Sequence, residues 1–62
     1  EPWEAIYWYQ RYYYSKVDGY GYAAFRITDI FEKLNKPKQV KFWWELCLES
    51  PYQGCKENDK EG

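Results

Sequence analysis

Residues 5–25 read AIYWYQRYYYSKVDGYGYAAF, and how this run folds decides the architecture of the chain. Seven of the eight tyrosines fall between Tyr7 and Tyr22, with Trp8 and Phe25 beside them. Near the middle sits Asp18-Gly19. An Asp-Gly pair flanked by aromatic-rich runs is a strong hairpin cue, because both central residues of the tight turn need positive φ. The spacing predicts one strand near residues 5–16, a turn at 18–19 and a second strand near 20–28. Ile6, Trp8, Gln10, Tyr12 and Tyr14 then share a face with Ala23, Phe25 and Ile27. Tyr7, Tyr9, Arg11, Tyr13 and Ser15 share the other with Tyr22, Ala24, Arg26 and Thr28. A slip of one residue would exchange the two faces.

The first face is the core candidate, and Trp8, Phe25, Ile27, Ile30 and Leu34 are the residues expected in the core. The second is a candidate contact surface of Tyr7, Tyr9, Arg11, Tyr13, Tyr20, Tyr22 and Arg26. On it Arg11 stands opposite Arg26, and like charges in that position destabilise a sheet unless rings, an acid or a bound anion compensate.

Working outward, TDIFEKLNKPK carries Ile27, Ile30, Phe31 and Leu34 at helical spacing, which predicts a short helix over 29–35. Asp29 and Glu32 have capping-box spacing, Asn35 is a C-terminal cap, and Pro37 stops the helix. KQVKFWWELCLES reads two ways. Val40, Phe42, Trp44, Leu46 and Leu48 alternate as in a strand, while Val40, Trp43, Trp44 and Cys47 follow helical spacing. The unbroken alternation favours a third strand. Pro51 closes it, leaving residues 1–55 as one domain and residues 56–62 as a disordered acidic tail.

The predicted fold is therefore α+β: a Tyr-rich antiparallel hairpin, a short helix, a third strand and a stapled C-terminal loop. Its alternative is a hairpin followed by two helices.

A chain of 62 residues buries only about 60% of its unfolded surface and usually needs a staple. Aliphatic residues are few, so the core rests on rings whose polar atoms need partners. Cys47 and Cys55 either pair with each other or stay free. Ser-Pro and Gln-Gly between them favour a doubled-back chain, and so a disulfide. A disulfide would imply an oxidising, extracellular or secreted setting. A chain that opens at Glu1 and has no methionine fits a processed product. No apolar run is long enough to span a membrane.

The formal net charge is −1, unevenly spread. Residues 1–44 hold seven Lys/Arg against five Asp/Glu, and residues 45–62 hold two Lys against five acids. Lys33, Lys36, Lys38 and Lys41 form a stretch with no acid among them. It is either a solvated turn or a basic patch facing an anion.

No histidine is present, so neither a Ser-His-acid nor a Cys-His arrangement can be built. A zinc site would need carboxylates beside the two cysteines, which is unusual for structural zinc. DGYGY lacks the rest of a phosphate-loop pattern. No catalytic residue, metal or cofactor is expected. Tyr and Trp with scattered Arg are the composition of protein-binding hot spots, whereas Tyr as strand filler is the plainer explanation. The same rings and arginines, with the lysine stretch, would suit a single-stranded nucleic acid, although a sequence pI of about 5.3 is low for that role. Sugar stacking on the rings is a third option. Self-association is a fourth, through the same face or a strand edge.

CLESPYQGCK resembles the first-cysteine and inhibitory-loop segment of Kunitz-type protease inhibitors, and RYYYSKVDG is similar to their central strand. The two segments run in reversed order here. The resemblance implies that Lys56 would enter a trypsin-like pocket. The leading expectation is a non-enzymatic module that binds a protein through the aromatic face.

Overall fold

The computed structural model describes residues 1–57. They form four helices, α1 (Pro2–Ser15), α2 (Tyr20–Lys33), α3 (Pro37–Glu49) and the short α4 (Gln53–Glu57), with no strand among them. The α+β expectation, the hairpin and the third strand are all overturned. Residues 58–62, most of the expected tail, lie outside the described residues. Lys56 and Glu57, also assigned to that tail, belong to α4.

Helix α1 starts where its end groups are satisfied. Pro2 occupies the first turn, where a missing N–H costs nothing. The Glu1 carboxylate accepts the Glu4 N–H at 2.7 Å. Ile6 and Tyr13, with half-buried Tyr9, supply its inner face at positions i, i+3 and i+7. Lys16, at φ 58°, ends the helix in the left-handed region, and its N–H donates to the Tyr13 carbonyl.

Asp18-Gly19 is a turn, as the sequence indicates, but it joins two helices. Gly19 has φ 85° and immediately precedes α2. The Tyr12 hydroxyl donates to the Asp18 carbonyl at 2.6 Å and holds the loop against α1. Only Gly19 takes the positive φ expected of both turn residues, and neither flanking strand forms among the described residues.

Helix α2 is the spine. Gly21, Ala23, Ala24, Ile27, Thr28 and Phe31 are buried along it, and α1, α3 and α4 all pack on it. The helix expected over 29–35 is instead the last turns of this longer one, which begins at Tyr20 and ends at Lys33. Small residues in its first turns permit close approach: a Cβ on Gly21 would collide with Ser50 and lie 2.6 Å from Tyr52 Cβ. The Thr28 hydroxyl is satisfied within the helix, donating to the Ala24 carbonyl at 2.9 Å.

A Schellman motif closes α2. Asn35 N–H donates to the Glu32 carbonyl at 3.1 Å and Lys36 N–H to the Phe31 carbonyl at 3.0 Å. Asn35 takes φ 61°, which asparagine tolerates better than most residues. Pro37 then opens α3. Along α3 the helical spacing wins: Trp43, Trp44 and Cys47 are buried, while Phe42 and Leu48, which a strand would have placed beside Trp44, are exposed.

Cys47 and Cys55 form a disulfide with a Cα–Cα distance of 5.6 Å, tying α4 to α3. Both are fully buried, with their sulfurs 4.0 and 3.8 Å from the Gly21 carbonyl oxygen. The Lys56 ammonium donates to the carbonyls of Leu48 (3.2 Å) and Ser50 (2.8 Å), satisfying acceptors left open at the end of α3. Ser50 Oγ donates to the Cys47 carbonyl at 2.6 Å in the same corner.

Candidate aromatic recognition surface

The expected contact face is taken apart by the helices. Tyr13 goes into the core, where its ring meets Tyr20 (5.4 Å) and Trp43 (5.4 Å) edge-on. Tyr20 is half-buried, and the Lys16 ammonium stands 3.8 Å from the Tyr13 centroid and 4.5 Å from that of Tyr20. Tyr13 is thus buried and Tyr20 half-buried among rings of the fold.

Tyr9, Tyr22 and Arg26 do come together, but between α1 and α2. Tyr9 and Tyr22 meet edge-on at 6.5 Å. The Arg26 guanidinium is held above its ordinary pKa, first by a hydrogen bond with Tyr9, then by Tyr22, with Asp29 contributing less. Arg26 and Arg11 belong to different clusters, so the predicted like-charge opposition does not arise.

Tyr7 and Arg11 remain as recognition candidates, joined by Trp8 and Tyr14, which the hairpin reading had placed on the core face, and by Trp3, which it had not assigned. Trp8, expected in the core, is 58% exposed. Trp3, Tyr7 and Tyr14 are 52, 51 and 60% exposed. Their i, i+4, i+11 spacing puts them within a stripe about 40° wide on α1. The two ends of that stripe are anchored: Trp3 meets Phe31 at 5.9 Å, and Tyr14 meets Trp43 at 6.1 Å. Phe42, 53% exposed, stacks edge-on against the same Trp43 at 5.4 Å.

Arg11 borders the stripe in a fixed pose. Its Nη1 donates to the Tyr7 hydroxyl at 3.2 Å, and its guanidinium carbon lies 5.9 Å from the Tyr7 centroid and 5.5 Å from that of Trp8. Tyr7 and Trp8 meet each other edge-on at 5.1 Å. Rings and cation are thus pre-organised, which lowers the ordering entropy of a contact. Reading residues 2–15 at helical spacing would have found Trp3 and Tyr14. The hairpin frame hid them.

The four candidate anion-binding lysines lie on the surface around the α2–α3 turn. All are exposed, but only Lys36 and Lys41 line the cavity beside the α2–α3 turn, while Lys33 and Lys38 do not. Lys56, the residue the Kunitz resemblance points to, has its ammonium taken by the carbonyls at the end of α3. Among the described residues no three acidic or cysteine side chains converge as a metal site, and no helix is long and apolar enough to cross a membrane. No family model, curated protein or solved structure matches the chain.

Proposed function

We propose that the chain is a non-enzymatic interaction module that docks on a protein partner through α1. The observation that carries this reading is the exposed aromatic stripe of Trp3, Tyr7 and Tyr14, flanked by Trp8 and the stacked Arg11. Exposed large rings at helical spacing fit a groove that accepts one helical face, and Tyr, Trp and Arg are the residues on which such contacts concentrate their energy. The partner this chemistry suits has an apolar groove with a carboxylate at its rim for Arg11.

A second reading, a single-stranded nucleic-acid binder, is favoured by one observation. Trp3 packs on Phe31 near the end of α2, and the chain just beyond carries Lys33, Lys36 and Lys38. A half-exposed indole near cations suits base stacking. The net charge of −1 and the acids Glu1 and Glu4 at the same end of α1 count against it.

One experiment separates the two. The intact chain and a Tyr7→Ser/Trp8→Ser/Arg11→Ser variant serve as bait for cognate cell extract, alongside titration of a labelled single-stranded oligonucleotide pool at about 50 and 200 mM salt. A protein retained at the higher salt and lost with the variant supports the docking surface. Oligonucleotide binding that collapses with salt moves the assignment to the second reading. Failure of both sinks the α1 surface.

A further inference from the structure

The outer face of α1 carries its own complement. At helical spacing Glu4 and Arg11 lie about 20° apart around the axis, opposite the inner face of Ile6, Tyr9 and Tyr13. Both are exposed. Their separation along the helix is about 10.5 Å. Midway between them sit Tyr7 and Trp8, more than half exposed and packed edge-on at 5.1 Å. Along its length the face therefore reads acid, ring pair, cation.

Among the described residues neither charge meets an opposite one. Glu4 engages Glu1 through its backbone N–H, and Arg11 donates to the Tyr7 hydroxyl and lies over the two rings. One operation satisfies both. A two-fold axis that crosses α1 at right angles between Tyr7 and Trp8 brings Glu4 against Arg11 of a second copy, and Arg11 against its Glu4. The same operation sets one ring pair on the other. A parallel pairing would oppose Glu4 to Glu4 and Arg11 to Arg11, and like charges in contact are costly.

We propose that the chain forms a homodimer through antiparallel contact of α1 with α1 of a second copy. The inference rests on the docking reading above and names its partner. Glu4 of the second copy is the carboxylate that suits Arg11, and its Tyr7 and Trp8 are the apolar surface. The two ion pairs flank the rings and fix direction and register more than strength. One face of a 14-residue helix is a small interface, so the dimer belongs to the weak, reversible class.

Sedimentation equilibrium of the intact chain from about 5 µM to about 1 mM tests this. The parent should pass from monomer to dimer within that range. Glu4→Arg and Arg11→Glu each oppose like charges twice across the axis, and each should weaken the dimer by about tenfold or more. Mixed in equal amounts, the two variants should recover it, because a cationic face then meets an acidic one. Tyr7→Ser/Trp8→Ser should abolish it. Circular dichroism checks that each variant keeps its helices. Should a swapped variant lose them, Glu4→Gln and Arg11→Gln replace the pair, and each should weaken the dimer severalfold. A parent that stays monomeric throughout, a dimer indifferent to these substitutions, or a mixture no better associated than its components would each overturn the proposal. A monomeric parent whose α1 still retains a protein from extract would remove the second copy as occupant and leave the docking reading standing.

Discussion

Gly21 carries the sharpest steric constraint in the chain. A Cβ there would meet Ser50 and Tyr52 at the point where α4 folds back on α2, and neither can move without disturbing the buried corner around the disulfide. Gly21→Ala normally helps a helix, because alanine has the higher propensity. Here overpacking wins, and we expect a net loss of about 1–3 kcal/mol in chemical denaturation. A variant as stable as the parent would show that this corner yields. Tyr7 and Trp8 supply the contrast. Both are more than half exposed, so Tyr7→Ser and Trp8→Ser should each change stability by no more than about 0.5 kcal/mol. Losses well above that would mean that these rings serve the fold, and the docking surface would lose its main support. Residue identity was legible in the sequence; residue environment was less so. Ile27 is buried as expected, yet Trp8 is outside and Tyr13 inside. A tyrosine's hydroxyl does not say which way its ring faces until the helical register is known.

Between the elements, the disulfide is the joint most open to test. Cys47 and Cys55 are 8 residues apart, and closing so short a loop contributes about 2–3 kcal/mol on the chain-entropy argument. Cys47→Ser/Cys55→Ser should lower Tm by roughly 10–20 °C, since each kcal/mol is worth about 4–8 °C in a domain this small. The amides of α4 should then exchange fastest, because the five-residue helix is otherwise held mainly by Lys56 and by packing on α2 and α3. A Tm that does not move would mean that Lys56 and the packing alone retain α4. The sequence supported this pairing through its turn formers. It misled at the hairpin for a related reason. Asp-Gly reports a local need for positive φ, which Gly19 confirms at 85°, but it says nothing about the structure on either side. Tyrosine and tryptophan favour strands statistically, yet that preference yields to tertiary packing. The Ile27, Ile30, Phe31 and Leu34 spacing was read correctly because aliphatic periodicity is clean there. In α3 the same helical spacing was present and lost to a five-position alternation that the exposed Phe42 and Leu48 now explain away.

At the scale of the whole molecule, the Cα extents are 28 × 26 × 14 Å. The three long helices form a thin layer with α2 in the middle, and α1 and α3 each pack on α2. What joins α1 to α3 is a set of rings, Tyr13 and Tyr14 against Trp43, with no comparable backbone approach between them. Such an arrangement predicts unequal local stability. Amides of α2 around Ile27 and Thr28, both fully buried, should exchange only through global unfolding. Those of α1 should exchange through an opening of lower free energy, in which α1 leaves the spine and Tyr13 leaves Trp43. Tyr13→Leu keeps an apolar side chain in the core but removes the ring contacts with Tyr14, Tyr20 and Trp43, so it should lower α1 protection more than α2 protection. Native-state hydrogen exchange at rising denaturant separates these cases residue by residue. If α1 and α2 share one exchange free energy in the parent and fall together in the variant, the molecule unfolds as a single unit. If α1 opens first, the helix that carries the exposed stripe is also the least firmly held of the three long helices. A partner gripping that stripe would then have to hold α1 against its own opening, and binding would appear as raised protection of α1 beyond the residues in contact.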